Sequence, residues 1–480
     1  VGEVISSGSD YGKTELGKGK RVLVEFVSAN PTGPMHIGNA RGGALGDSLS
    51  SVLQFAGYEV EREFYVNDAG NQIEKFGKSL NLRFMQICNG KGQAVIEKCS
   101  GNIQDICETI YNDTENFPMP EDVYLGMDII EHAYNYFKEN GSSLSSENED
   151  IRKKTLTDFA LPKNIAGLER DLAKYRITYD NWFKESTLHN DGSVNEIIQK
   201  LKASGYTYEQ DGALWFKSSQ LGDEKDRVLI RANGVVTYFV PDIAYHYNKL
   251  VTRGYDKAID IFGADHHGYI PRMKAALTAL GVDANKLDIV IMQMVNLVRN
   301  GEKYKLSKRS GKAITLSTLL EEIPIDAARF FFNMRNAGSH LDFDLTLAAQ
   351  QSNDNPVYYV QYAHARICSI IRLLADDGIT FKPYSDINTS LLTDETELVL
   401  LKKLADLPEE IRAAAESLEP ARITRYVMEL ATDFHSFYNT CRVKGEDEEL
   451  TAARLKLIDS VRVVMKEVLT MLKISAPEKM

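Results

Sequence analysis

Paired cysteines are the first thing this 480-residue chain lacks. Its five cysteines (Cys88, Cys99, Cys107, Cys368, Cys441) form no Cys-x-x-Cys element and no Cys/His spacing of a zinc site. That excludes a disulfide scaffold and a zinc ribbon and fits thiols in a reducing compartment. No apolar run approaches the roughly 20 residues of a membrane-crossing helix, and the opening residues carry no signal-peptide pattern. Positive charge is short as well: 56 Lys and Arg stand against 68 Asp and Glu, a net charge of −12. This excludes a non-specific polyanion binder while leaving room for local basic patches. The remainder, 43% hydrophobic and 26% charged, is an ordinary globular composition. The length suits about two to four domains with ample core. The expectation is a soluble, intracellular, multidomain protein.

The chain is organised around one stretch near its start. Val22 to Val27 is an apolar run bounded by turn residues, which predicts a buried strand. A loop with two prolines follows, Pro31 to Pro34. From Asn39, Leu45, Leu49, Val52 and Ala56 recur at steps of three and four, predicting a helix that Gly57 ends. Glu59 to Val66 reads as the next strand. Strand, loop, helix and strand with a glycine at the loop-to-helix junction is a form that holds a nucleotide over a helix N-terminus. Glu25 interrupts the apolar strand, and a buried carboxylate needs a cationic partner or it protonates. His36 stands where the helix begins, within reach of a phosphate, and Gly38 lets a ligand approach the backbone.

His36-Ile37-Gly38-Asn39 resembles the His-Ile-Gly-His signature of class I aminoacyl-tRNA synthetases. The flanking Ser28-Ala-Asn-Pro-Thr-Gly-Pro-Met-His36 and Ala40-Arg-Gly-Gly-Ala-Leu-Gly-Asp47 resemble the arginyl enzymes in particular. Asn39 replaces the second signature histidine; an amide still hydrogen-bonds ATP but cannot become cationic. Lys305-Leu-Ser-Lys-Arg309 resembles the second signature, Lys-Met-Ser-Lys-Ser. The resemblance makes Lys305 and Lys308 catalytic cations, Lys308 stabilising the phosphates as pyrophosphate leaves, with Ser307 and Gly311 letting the loop close over ATP.

Further along, Asn67 or Asp68 is expected to cap a helix running to about Cys88. Residues 121–210 read as an insertion between two halves of a nucleotide-binding fold. Within it Tyr179, Trp182 and Phe183 form either a core aromatic cluster or, by resemblance, a segment near the tRNA acceptor end. Short strands are expected at Ala213–Lys217 and Arg227–Arg231. The apolar run from Val235 ends in Pro241 and Asp242, placing Asp242 either as the cap of a helix from Ile243 or just past a parallel strand's carboxyl end. Ala258–Phe262 predicts a buried strand running into Gly263-Ala-Asp-His-His-Gly268. Asp265, His266 and His267 are metal-ligand types, but adjacent residues rarely share one coordination geometry. Ile289–Leu297 reads as a strand, and Thr318 with Glu321 as a capping box. The resemblance assigns ATP to His36, Gly38, Asn39, Gly263, Asp265, Ser307 and Lys308. It assigns arginine to Glu25, Ser28, Asn30, Tyr238, Asp242, Asp265 and His266. Glu25 and Asp242 would clamp the guanidinium, whose fork suits paired carboxylates.

Beyond residue 350 the pattern is helical throughout. Asp354 and Pro356 mark a helix start, and Leu455, Ile458, Val461, Met465, Val468 and Leu472 form one apolar stripe. Tyr362, His364, Arg366 and Arg372 face either an anticodon or solvent. The expected fold is a Rossmann-like α/β catalytic domain with an insertion, plus an all-α C-terminal bundle. Its divisions fall at 1–20 (a linker remnant from a missing N-terminal domain), 21–120, 121–210, 211–350 and 351–480. The resemblance implies arginine–tRNA ligase activity with ATP and Mg2+, no structural zinc, tRNA-Arg and L-arginine as partners, and a cytoplasmic monomer free of membranes. The alternatives are a catalytically silent tRNA-binding relative and a class I synthetase for another amino acid.

Overall fold

A computed structural model describes residues 1–304, 314–445 and 447–480. Residues 1–20, expected as a linker, are folded onto the body of the molecule. Helix α1 (Gly2–Ser7) buries Val4, and the Tyr11 hydroxyl donates to the Leu404 carbonyl at 2.8 Å. Apolar side chains at positions 4 and 11 give this segment something to bury, which a solvated linker lacks.

Five parallel strands form the central sheet: β1 (Arg21–Glu25), β2 (Glu59–Val66), β3 (Asn181–Lys184), β4 (Lys257–Gly263) and β5 (Leu287–Met292), in the order β3-β2-β1-β4-β5. Helix α2 (Ile37–Phe55) follows β1 and buries one long face. Gly57 turns the chain at φ +88°, where a side chain would meet the Thr14 carbonyl oxygen at 2.7 Å. Helix α3 (Asn71–Cys88) starts at Gly70 without a side-chain cap. Asp68 instead accepts from the amide and hydroxyl of Ser186, tying the β2 loop to the chain after β3.

Helix α3 packs with α4 (Met127–Asn140) and α5 (Glu149–Lys174) around Phe76, Phe84, Ile106, Ile129 and Leu156, so residues on both sides of position 120 share one core. Strand β3 completes an edge of the central sheet, which returns the chain to the body of that sheet by Asn181. There Tyr179 and Trp182 pack on Phe26 and Phe64 as the aromatic cluster read from the sequence, while Phe183 packs on Tyr65 and Tyr245.

A three-stranded antiparallel sheet (Thr207–Gln210, Ala213–Phe216, Arg227–Ile230) precedes helix α6 (Phe239–Tyr247). The apolar run from Val235 is therefore not a strand: Val236 makes a single bridge to Ile230, and the helix begins three residues later. Val240, Ile243 and Ala244 are buried at helical spacing, and Pro241 falls in the first turn, where its missing N–H costs no bond. Asp242 accordingly lies inside the helix and is not its cap. The run read as one strand from Ile289 to Leu297 divides at Gln293. Fully buried Arg41 donates to the carbonyls of Gln293, Asn336 and Ser339 there, and Val295–Arg299 joins a separate small sheet with Leu341–Asp344. The helix Leu316–Glu322 is capped by Thr315, whose hydroxyl accepts from the Thr318 amide at 3.1 Å, so the box begins three residues before the expected one.

Helix α7 (Ile325–Asn333) joins the sheet to the C-terminal helices α8 (Pro356–Asp376, capped by Asn355 and not Asp354), α9 (Glu395–Ala405), α10 (Leu407–Ser417), α11 (Ala421–Thr440) and α12 (Glu448–Met471). The junction is ionic. Arg329 on α7, with no exposed surface, donates to Asp47 of α2, to the Tyr175 carbonyl and to the Leu472 carbonyl. All six residues of the α12 apolar stripe are buried. His364 is buried too, its Nδ1 bonded to the Pro477 carbonyl at 2.9 Å, and so faces neither solvent nor a partner. No helix among the described residues is long and apolar enough to cross a membrane.

Candidate active site

The site begins with a backbone irregularity at the carboxyl end of β1. Val27 has φ +70° and Ser28 φ +41°, and the Ser28 amide donates back to the Phe26 carbonyl at 3.1 Å, a γ-turn of the rare strained form. The turn bends Ser28 back over the strand. Its hydroxyl donates to Glu25 at 2.8 Å and accepts from the Tyr65 amide at 3.2 Å.

Parallel register then sets three carboxylates side by side, because Glu25 pairs with Glu63 on β2 and with Asp260 on β4. All three are buried. Such a row is tolerable only with cations against it. Arg253 meets Glu63 at 2.6 Å. Lys249, with no exposed surface, bridges Glu25 and Asp260. His246 donates its Nδ1–H to the Asp242 carbonyl at 2.7 Å, and its Nε2 faces the Asp260 carboxylate at 2.7 Å. Burial pushes the Asp260 carboxyl up, but Lys249 and His246 outweigh it and hold the group low. Burial pushes Glu25 up, with Lys249 opposing and Asp260 adding to the rise.

Glu25, Tyr65, Asp242, Tyr245, His246 and Tyr269 wall a cavity of about 310 Å³ outside the carboxyl ends of β1 and β4. Asp242 differs from the row. Its carboxylate has no hydrogen-bond or ion-pair partner among the described residues, and burial first, then Glu185 and Glu25, push its pKa up to about 7 against the pull of His246. The cavity thus offers one supported carboxylate and one unsupported carboxylate to a cation.

Of the residues expected in the arginine pocket, Glu25, Ser28, Asp242 and His266 line this cavity, as do Asn39 and Gly263 of the ATP set. Tyr238 does not: half exposed, it precedes α6 and its hydroxyl accepts from the Asn71 amide on α3. Asn30 is exposed and turned toward Asn67, their amides 3.2 Å apart. Asp265 is exposed and bonds the His266 ring at 3.1 Å. His36 is exposed at the start of α2, and Gly38 lies in the first turn. The Asn39 oxygen accepts from the His36 amide at 3.0 Å, which leaves the Asn39 NH2 as a donor at the cavity. Lys305, Ser307, Lys308 and Gly311 lie outside the described residues. The segment just after them adjoins the first signature: Ile37 donates to the Ile314 carbonyl, and Leu316 to that of Met35.

The model for tRNA synthetases class I (R), catalytic domain, matches residues 1–353, and that for the DALR anticodon binding domain matches 360–480. The chain belongs to the class I arginyl-tRNA synthetases. An arginine–tRNA ligase of Acetivibrio thermocellus is 53% identical over 471 residues, 98% of this chain and 79% of the relative. One from Carboxydothermus hydrogenoformans is 47% identical across the whole chain and 82% of its own length. A solved Campylobacter jejuni structure described as an arginyl-tRNA synthetase aligns at TM-score 0.83 and 37% identity, covering 99% of this chain and 97% of that one. The Thermus thermophilus arginyl-tRNA synthetase shares the fold at TM-score 0.75 and 20% identity, covering 99% and 85%.

In this synthetase, sequence reading missed Lys249, His246 and Asp260 as parts of the site. A weak signal existed. Asp242, His246 and Lys249 follow at steps of four and three, the spacing of one helix face, beside an apolar strand interrupted by Asp260.

Proposed function

We propose that this chain activates L-arginine with ATP to arginyl-adenylate, releasing pyrophosphate, and transfers arginine to the terminal adenosine of tRNA-Arg. The observation that carries the substrate is the unpartnered Asp242 carboxylate beside buried Glu25. A guanidinium supplies the cation that Asp242 lacks, and its planar fork uses both acids at once. With the side chain held there, the α-carboxylate is presented toward the rim, where the α2 N-terminus, the Asn39 amide and His36 face the phosphates. His266 and Gly263 sit on the adenosine side, with Asp265 beside them. No side chain has to act as a covalent nucleophile: the arginine carboxylate attacks the α-phosphorus, and a ribose hydroxyl of the tRNA then attacks the adenylate.

Among the described residues no three or more ligand-type side chains gather into a metal site. On this reading Mg2+ travels with the ATP phosphates. Lys305 and Lys308 supply charge during pyrophosphate departure, a role that rests on the second signature alone. The helical domain carries the anticodon contact, and the working unit is one chain with one tRNA in the cytoplasm.

ATP–pyrophosphate exchange with arginine, run with and without tRNA-Arg, tests the reading. Exchange is expected only when both are present. Exchange with arginine alone keeps the activity and removes the tRNA requirement. Exchange supported by another amino acid and not by arginine overturns the substrate.

A further inference from the structure

Lys249 sits in an unusual place for an ammonium. It lies in a π-helical turn (Asn248–Thr252) that continues α6, with no solvent exposure. Such wide turns concentrate at functional sites because they redirect a side chain out of α-helical register. Here Nζ meets Glu25 from β1, Asp260 from β4 at 2.7 Å, and the face of the Tyr245 ring at 4.1 Å. The next cation along the chain, Arg253, serves Glu63 and Glu61 instead. The Tyr245 hydroxyl donates to Glu63 at 2.6 Å. Lys249 is therefore the only ammonium or guanidinium among the described residues paired with Glu25.

We propose that Lys249 is a positioning residue of the arginine pocket, its ammonium keeping the Glu25 carboxylate ionised and aimed so that an incoming guanidinium meets charge. This rests on the reading that the cavity binds arginine. Each Glu25 oxygen has one protein donor: the Ser28 hydroxyl on Oε1 and Lys249 on Oε2. A carboxylate has about four acceptor positions, so those two bonds fix its plane and leave lone pairs for the substrate. Without Lys249, Glu25 stands buried beside Asp260, with Asp242, Glu63 and Glu185 nearby and His246 committed to Asp260 and the Asp242 carbonyl. In that setting burial and the Asp260 charge raise Glu25 unopposed by Lys249, so more of it is protonated and arginine must displace that proton. A purely structural Lys249 has no such consequence.

The test is calorimetric arginine binding to the full chain at several pH values, in buffers of different ionisation enthalpy that count released protons. Glu25→Gln is expected to weaken binding about 100-fold at every pH. Lys249→Met is expected to weaken it by a similar factor at pH 6.5 and to recover as the pH rises, with more protons released per arginine than in the parent. Asp260→Asn, which keeps Lys249 and removes the like charge beside Glu25, should shift the acid limb of binding to lower pH, so the dependence of Glu25 on its charged neighbours is still read if Lys249→Met does not fold. A Lys249→Met chain with parental affinity and proton count overturns the role of Lys249, as does an Asp260→Asn chain whose acid limb is unmoved. A Glu25→Gln chain that binds arginine like the parent overturns the pocket itself, a distinct failure.

Discussion

The C-terminal bundle and the central sheet bury side chains of opposite character. In α11 and α12 the inward residues are Val427, Leu430, Phe434, Ile458, Val461 and Val468, all without exposure. Directly beneath the cavity, the sheet buries Glu63, Glu25 and Asp260 almost as deeply, with fully buried Lys249 against them. Apolar burial contributes stability wherever it occurs, at about 25 cal/mol per Å². Buried ion pairs rarely do, because desolvation offsets their attraction. The bundle is thus built for stability and the row under the cavity for charge placement. The difference locates the chemistry without reference to any motif.

The largest expected effect on folding lies in the bundle. Ile458→Ala should cost about 2–5 kcal/mol in denaturant unfolding while leaving the arginine dissociation constant of the remaining folded protein unchanged. A matching loss of affinity would show that the two regions are not separable.

Asp242→Asn should act in the opposite sense. The ordinary Asp value is 3.8 and burial lifts Asp242 to about 7. Between those values the folded state holds a proton that the unfolded chain has released, so the group's contribution falls as the pH rises through that window. The amide removes this penalty: its melting temperature should exceed the parent's at pH 8 and match it near pH 4. Arginine binding should weaken in the same variant, a loss of function with a gain of stability. In the parent, affinity for arginine should rise as the pH passes about 7, when Asp242 loses its proton. A variant less stable than the parent at pH 8 would contradict the cost assigned to that carboxylate.

The smallest effect belongs to neither region. Lys154 and Asp158 form an exposed pair one helical turn apart, at 2.6 Å. Lys154→Ala should change stability by no more than about 0.5 kcal/mol, as solvent-screened pairs do. A larger change would mean that a short ion-pair distance, and not burial, sets the energetics.

Local physics made much of the fold legible. Strand β1, helix α2, strand β2 and the stripe on α12 were readable because hydrophobic period and turn residues act over a few positions. Residues 235–242 were misread because a six-residue apolar run fits a strand and a buried helical turn equally well, and packing around Val240 and Ile243 decided it. Gln293 divided a strand because Arg41, 252 positions earlier, captures its carbonyl. The carboxylate of Glu25 was visible as an anomaly in an apolar strand. Its partner was not, since Lys249 lies 224 residues away in sequence. Tyr238 was expected in the pocket by resemblance, but its place just before α6 carries the ring toward α3.

By itself the sequence determined the class of the catalytic domain, the family, the helical bundle and the need for a cation near Glu25. These follow from residue types and short-range periods. Only the tertiary structure decided which cation that is, that Asp242 has none, and that Glu63, Glu25 and Asp260 stand in one row. Strand register and helix packing bring together residues hundreds of positions apart, and neither is written in any single stretch of the chain.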